Sequence, residues 1–115
     1  MIAPSANPAV LTAWSNDYDF STVYSREVEA YREKVGVLLG ISTSGISQNV
    51  VEAMKVARDI GMTTIALTGD GGGLCASQAD ILIDVPSRLT PRVQEVHICI
   101  YHYLCQRVEE ELTGA

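Results

Sequence analysis

Six consecutive residues, Ser42-Thr43-Ser44-Gly45-Ile46-Ser47, hold four hydroxyl groups around one glycine, a composition suited to capturing an anion. Hydroxyls and free backbone N–H groups at a helix start supply donors within a favourable dipole, and no lysine is needed. Gly45 lets the backbone approach a ligand closely or take a positive φ, either of which costs a residue with a Cβ more. The same residue types also serve as ordinary helix caps, so chemistry alone leaves an anion cradle and a serine-rich cap both open. Four hydroxyls exceed what one cap uses, however, and open α/β sheets place their ligands at the carboxyl ends of strands.

A strand before this turn and a helix after it must hold it in place. Val35, Val37, Leu38, Leu39 and Ile41 form a nearly continuous apolar run, which predicts a parallel strand over 37–41 covered on both faces. A helix is expected from about Ser47 to Ile60, with Val50, Val51, Met54, Val56, Ala57 and Ile60 as its apolar positions and Gly61 as its C-cap. Thr63–Thr68 predicts a second strand. The glycines of Gly69-Asp-Gly-Gly-Gly-Leu74 complete neither a GxGxxG fingerprint, because Leu74 stands where the last glycine belongs, nor a GxxxxGK[ST] loop; they read as a flexible connection. A short helix near Leu74–Gln78 and a third strand at Ile81–Val85 follow. Strand, helix, strand, helix, strand with short connections predicts a parallel sheet with right-handed crossovers. Ahead of this unit, residues 1 to 23 read as irregular, and 21 to 34 as a helix with Ser21 and Thr22 as candidate caps.

The last predicted helix runs from about Thr90 to Leu112, with Pro91 in its first turn. It is apolar nearly all round between Val96 and Cys105, and a helix of that kind is buried. One small sheet cannot cover it, so a partner subunit is expected to. Cys75, Cys99 and Cys105 are an odd number without framework spacing, which predicts free buried thiols in a reducing compartment. Cys99, His102 and Cys105 recur every third residue, yet positions 99 and 105 lie about 120° apart around a helix, too far to converge easily on one metal.

With 115 residues the chain is one domain, and its hydrophobic content of 47% excludes disorder. The net charge of −6, from 8 basic and 14 acidic side chains, argues against nucleic acid or an anionic membrane as partner. No apolar stretch approaches a membrane span, and the N-terminus lacks the basic start of a secretory signal. A cytoplasmic protein is expected.

Leu39-Gly-Ile-Ser-Thr-Ser-Gly-x-Ser, Ala66-Leu-Thr-Gly-x-x-Gly-Gly, Ala79-Asp80 and Arg92-Val-Gln-Glu-Val-His-Ile…His102 together resemble the sugar isomerase (SIS) domain, and within it the phosphoheptose isomerases. The likeness runs from about Ala9 to Leu112. The Gln-Glu-x-His-Ile-x-x-x-His helix is its most diagnostic part, more so than the common SIS serine loop. It implies a three-layer, flavodoxin-like α/β fold in which a parallel sheet is flanked by helices, here corresponding to the C-terminal part of the domain. It also implies conversion of sedoheptulose 7-phosphate to D-glycero-D-manno-heptose 7-phosphate in the synthesis of heptose for the lipopolysaccharide core, by a dimer or tetramer.

Residue by residue, the resemblance implies that Ser42, Thr43, Ser44 and Ser47 hold the substrate phosphate and that Asn16 and Asp17 contact the substrate. Gln94 and His102 correspond to ligands of Zn²⁺ in the zinc-containing members, Gln94 also facing substrate, and His102 to the acid/base group near C1 and C2. An enediol isomerisation moves a proton between neighbouring carbons, which suits a histidine. Gln94 and His102 are separated by a rise of about 12 Å along a helix, so they share a metal only by reaching toward each other or across subunits. His97 reads instead as a packed or hydrogen-bonded helix residue.

Two positions depart from the family pattern: Ile46 stands where Asn is usual, and Asp19 where a glycine is usual. The family's first strand, with its Gly-Asn-Gly-Gly-Ser loop and the His and Glu that follow it, has no counterpart in these residues. Two function classes therefore remain: an isomerase polypeptide whose activity depends on that further segment, and a non-catalytic SIS-type module for sugar-phosphate binding or assembly.

Overall fold

Hydrophobic alternation and β-branching place three strands side by side. The computed structural model describes residues 1–114 and shows β1 (Val37–Ser42), β2 (Thr63–Thr68) and β3 (Ile81–Asp84) in the order β1-β2-β3, all parallel. Register pairs Gly40 with Ala66 and Ser42 with Thr68 across β1 and β2, and Thr68 with Asp84 across β2 and β3. The four helices are α1 (Pro8–Asp17), α2 (Val23–Ala30), α3 (Gln48–Asp59) and α4 (Thr90–Thr113).

The even-numbered residues of β1 and β2, among them Leu38, Gly40 and Ala66, face α3. Val51, Met54, Ala66 and Cys75 form one buried cluster, while Val28, Ala53, Ala57 and Met62 form a second that joins α2 to α3. At its C-terminus α3 is closed by Gly61 N–H to the Arg58 carbonyl (3.0 Å) and Met62 N–H to the Ala57 carbonyl (2.8 Å), the paired bonds of a Schellman cap. Burial on both sheet faces is not what the chain shows. On the odd-numbered face Leu67 is buried, but Val37, Ile41 and Ile81 are each about half exposed (51%, 46% and 49%).

The first 23 residues are not irregular. Asn7 caps α1 by accepting from the Ala9 N–H (3.0 Å), and Pro8 occupies the first turn, where its missing N–H costs nothing. Trp14 then stacks on Tyr18 (4.1 Å between centroids), Arg26 of α2 lies over the Trp14 ring, and the indole N–H donates to Thr22 Oγ1 (2.9 Å). The cap ahead of α2 is Asp19 rather than Ser21 or Thr22: its carboxylate accepts from the Ser21 N–H at 2.7 Å and opens a 3₁₀ turn, Phe20–Thr22. The Ser21 hydroxyl first, and then its N–H, hold the Asp19 carboxyl below its usual range. The helix itself ends at Ala30, short of residue 34.

Candidate phosphate site and its supports

Strand β1 runs one residue further than predicted and delivers Ser42, only 5% exposed, at its carboxyl end. Ser42 Oγ lies 2.7 Å from Ser47 Oγ and accepts from the Gly45 N–H (3.1 Å) and Ser47 N–H (3.4 Å). Ser47 occupies the N-cap position of α3, yet its hydroxyl makes no cap hydrogen bond; it is turned to Ser42. Ser44 is exposed, and its Oγ accepts from the Ile46 N–H at 3.3 Å. Thr43 is half-buried, with its carbonyl accepting from the Gly69 N–H (2.9 Å).

The glycine-rich segment after β2 is interlocked with this turn rather than loose. Gly45 has φ +71°, and a Cβ there would stand 2.3 Å from the Gly72 carbonyl oxygen. Cys75 N–H also donates to the Gly45 carbonyl (2.9 Å). A Cβ on Gly69 would lie 2.5 Å from the Thr43 carbonyl, 2.9 Å from that of Ser87 and 3.3 Å from Val93 Cγ2. Gly69 is thus the point where the serine loop, the connection after β3 and the start of α4 converge, and only a residue without a side chain fits.

The other expected site residues make no hydrogen bond to this loop among the described residues. Asn16 and Asp17 close α1, both exposed, with Asn16 Nδ2 donating to Asp17 Oδ1 at 3.0 Å. Gln94 and His102 are exposed on α4, the His102 ring tilted against Tyr101 at 5.4 Å. Among the described residues no group of three or more His, Cys, Asp or Glu could hold a metal. The donors carried over for Zn²⁺, Gln94 and His102, therefore do not make a zinc site on their own. Cys99 and Cys105 are exposed rather than buried, because the helix that carries them is uncovered; only Cys75 is buried, and burial pushes its thiol up.

His97, expected as a packed or hydrogen-bonded helix residue, is both. It is 2% exposed, with Nε2 at 3.0 Å from the Thr68 carbonyl, next to Gly69. A separate open cleft of about 440 Å³, lined by Ile2, Asn7, Val10, Arg26, Glu27 and Tyr31 among others, lies between the N-terminal turn and α2 and includes none of the serine-loop residues. Burial pushes the Glu27 carboxyl up.

Residues 2–69 match the model of the SIS domain family. The chain belongs to that family. As an SIS domain it is similar to the phosphoheptose isomerase of Crocosphaera subtropica, 48% identical over 111 residues that cover 96% of this chain and 57% of the relative. The phosphoheptose isomerase of Aliarcobacter butzleri is 49% identical over 112 residues, covering 97% and 59%. Among solved structures, phosphoheptose isomerase GmhA from Neisseria gonorrhoeae superposes with a TM-score of 0.87 at 43% identity, covering 93% of this chain and 61% of that one. A phosphoheptose isomerase from Francisella tularensis gives 0.86 at 39%, covering 91% and 56%. This SIS domain thus spans a little over half the length of the relatives it matches. The parallel α/β sheet expected from the resemblance is the one observed.

Proposed function

We propose that this SIS domain carries the phosphate-holding and α4-borne part of an aldose–ketose isomerase site acting on sedoheptulose 7-phosphate. The observation that carries the reading is the serine loop. Ser42 and Ser47 bond each other, Ser47 leaves α3 without a side-chain cap, and Ser44 is left exposed at a helix start whose dipole favours an anion. The similarity to phosphoheptose isomerases makes the C7 phosphate the fitting anion. With phosphate held there, the reaction takes a proton from C1 of the ketose to form a cis-enediol and returns one to C2, while the C1 hydroxyl proton leaves and the C2 oxygen gains one. His102 is the chain's candidate for the carbon-to-carbon transfer, and Gln94, Asn16 and Asp17 are its candidates for binding the sugar hydroxyls.

Zn²⁺ would need donors besides Gln94 and His102. The half-exposed apolar residues on α4, Val96, Ile98 and Tyr103 (42%, 47% and 62%), support a homodimer or tetramer in which α4 is covered. A phosphorylated metabolite supports a cytoplasmic role in heptose precursor supply for lipopolysaccharide; no described helix is long and apolar enough to cross a membrane.

A second reading, a non-catalytic sugar-phosphate-binding or assembly module, is favoured by one observation: among the described residues no hydrogen bond joins the serine loop to Asn16, Asp17, Gln94 or His102. Turnover of sedoheptulose 7-phosphate with added Zn²⁺ separates the two. Turnover that His102→Ala abolishes supports the isomerase. Binding without turnover supports the module.

A further inference from the structure

Helix α4 has 24 residues, yet it buries only Val93 and His97. The fully buried contacts of the helix that carries Gln94 and His102 thus lie in its first two turns, with Ile100, Tyr101 and Leu104 half-buried beyond them. Val93 supplies shape, closing over Gly69, and His97 supplies the one buried polar bond. Its partner, the Thr68 carbonyl, also accepts from the Val85 N–H at 3.0 Å, so both lone pairs of that oxygen are used. Thr68 Oγ1 donates to the Gly69 carbonyl (2.9 Å), and the Gly69 N–H donates to Thr43 of the serine loop (2.9 Å). An unbroken run of short bonds thus leads from the α4 imidazole to the candidate phosphate turn.

A carbonyl only accepts, so Nε2 carries the proton and the neutral ring keeps its lone pair on Nδ1. That Nδ1 is buried without a partner. An orphaned buried acceptor costs stability, and an apolar residue would fill the same volume without one. Packing alone does not account for a histidine here; a donor reaching Thr68 does.

We propose that His97 is a positioning residue: its Nε2–H, given to the Thr68 carbonyl, sets the rotation and height of α4 and so fixes where Gln94 and His102 stand relative to the Ser42–Ser47 loop. At 100° per residue Gln94 lies about 60°, and His102 about 140°, around the axis from His97 in the same sense. Turning the helix by about 20° moves a side chain at a radius of roughly 5–6 Å by about 2 Å. A misplacement of about 1 Å can cost a reaction roughly 100-fold. The proposal rests on the isomerase reading for its consequence in rate, but not for its geometry.

The test compares wild-type chain with His97→Phe and His97→Gln, the glutamine amide reaching Thr68 as Nε2 does. Ring ¹⁵N shifts of the wild type should show the Nε2–H tautomer; the Nδ1–H tautomer overturns the proposal. His97→Phe should lower kcat for sedoheptulose 7-phosphate about 100-fold with KM held within about twofold, and His97→Gln should recover all but about tenfold. The melting shift produced by inorganic phosphate should be the same in all three. Wild-type kcat in folded His97→Phe, or parallel loss of kcat and the phosphate shift, overturns it.

A chain that carries only part of the site need not turn over by itself; where the wild type shows no turnover, amide exchange decides the positioning claim. His97→Phe must then speed exchange over residues 93–102 while residues 50–57 keep their protection, and unchanged rates overturn it. Should His97→Phe not fold, His97→Gln against the shorter His97→Asn makes the same comparison.

Discussion

Ser42 and Ser44 are two residues apart and share a side chain, but their hydroxyls have different duties. Ser42 Oγ is buried and accepts two backbone N–H groups besides meeting Ser47. Ser42→Ala should therefore lower unfolding free energy by about 1–3 kcal/mol, read by denaturant melts, because the Ser47 N–H and hydroxyl lose their partner, whereas the Gly45 N–H keeps the Ser42 carbonyl (3.1 Å). Ser44 is exposed, and Ser44→Ala should leave the melt alone while weakening sugar-phosphate binding by about 1–3 kcal/mol in calorimetry; equal affinity would remove Ser44 from the site. The cluster of hydroxyls was legible in the sequence. Which of them is structural was not, because that depends on β1 continuing through Ser42 and turning its Oγ inward. Glu27 offers a separate check. Burial raises its folded-state pKa above the ordinary 4.5, so the unfolded chain releases its proton first as pH rises. The native state consequently loses stability from about 4.5 up to the raised value, and the loss is complete above it. Glu27→Gln should raise the melting temperature at neutral pH and leave it unchanged at pH values below 4.5; no gain at neutral pH would mean the carboxyl is not desolvated.

At the scale of elements, Gly69 decides how the serine loop, the connection after β3 and α4 fit together. Gly69→Ala places a Cβ 2.5 Å from the Thr43 carbonyl, a backbone contact that cannot swing aside. It should therefore abolish the phosphate-induced melting shift even where the variant still folds; a retained shift would show that the loop is held without this junction. The strands and α3 were readable from apolar periodicity and glycine stops. Helix α1 carried readable signals too, Asn7 ahead of Pro8 and then Val10, Leu11 and Trp14 at helical spacing, but two prolines and polar flanks masked them. Asp19 as the cap depends on a local turn. The Gly45–Gly72 and Gly69–Thr43 contacts join residues more than twenty positions apart, and no local pattern announces such a meeting. His97 was legible as a bonded helix residue, but Thr68 as its partner follows only from the parallel register that brings the end of β2 beneath α4.

For the whole molecule, one sheet face and most of α4 expose large apolar side chains, a distribution that marks interaction surfaces. Sedimentation of the isolated chain should show concentration-dependent association, and Ile98→Glu with Tyr103→Glu should reduce it to monomer; a monomer at all concentrations would assign no self-association to α4. The family and the parallel sheet are those of relatives of which this chain spans a little over half, and phosphate capture at the serine loop is the part of the chemistry these residues should show unaided. A ligand at about 100 times its Kd stabilises the fold by about 2.7 kcal/mol. The most direct measurement is the melting temperature of the wild-type chain and of Ser44→Ala with sedoheptulose 7-phosphate and with unphosphorylated sedoheptulose. A rise with the phosphate ester alone, lost in Ser44→Ala, is the predicted result, whereas no rise, or an equal rise with the free sugar, would contradict a phosphate site at this loop.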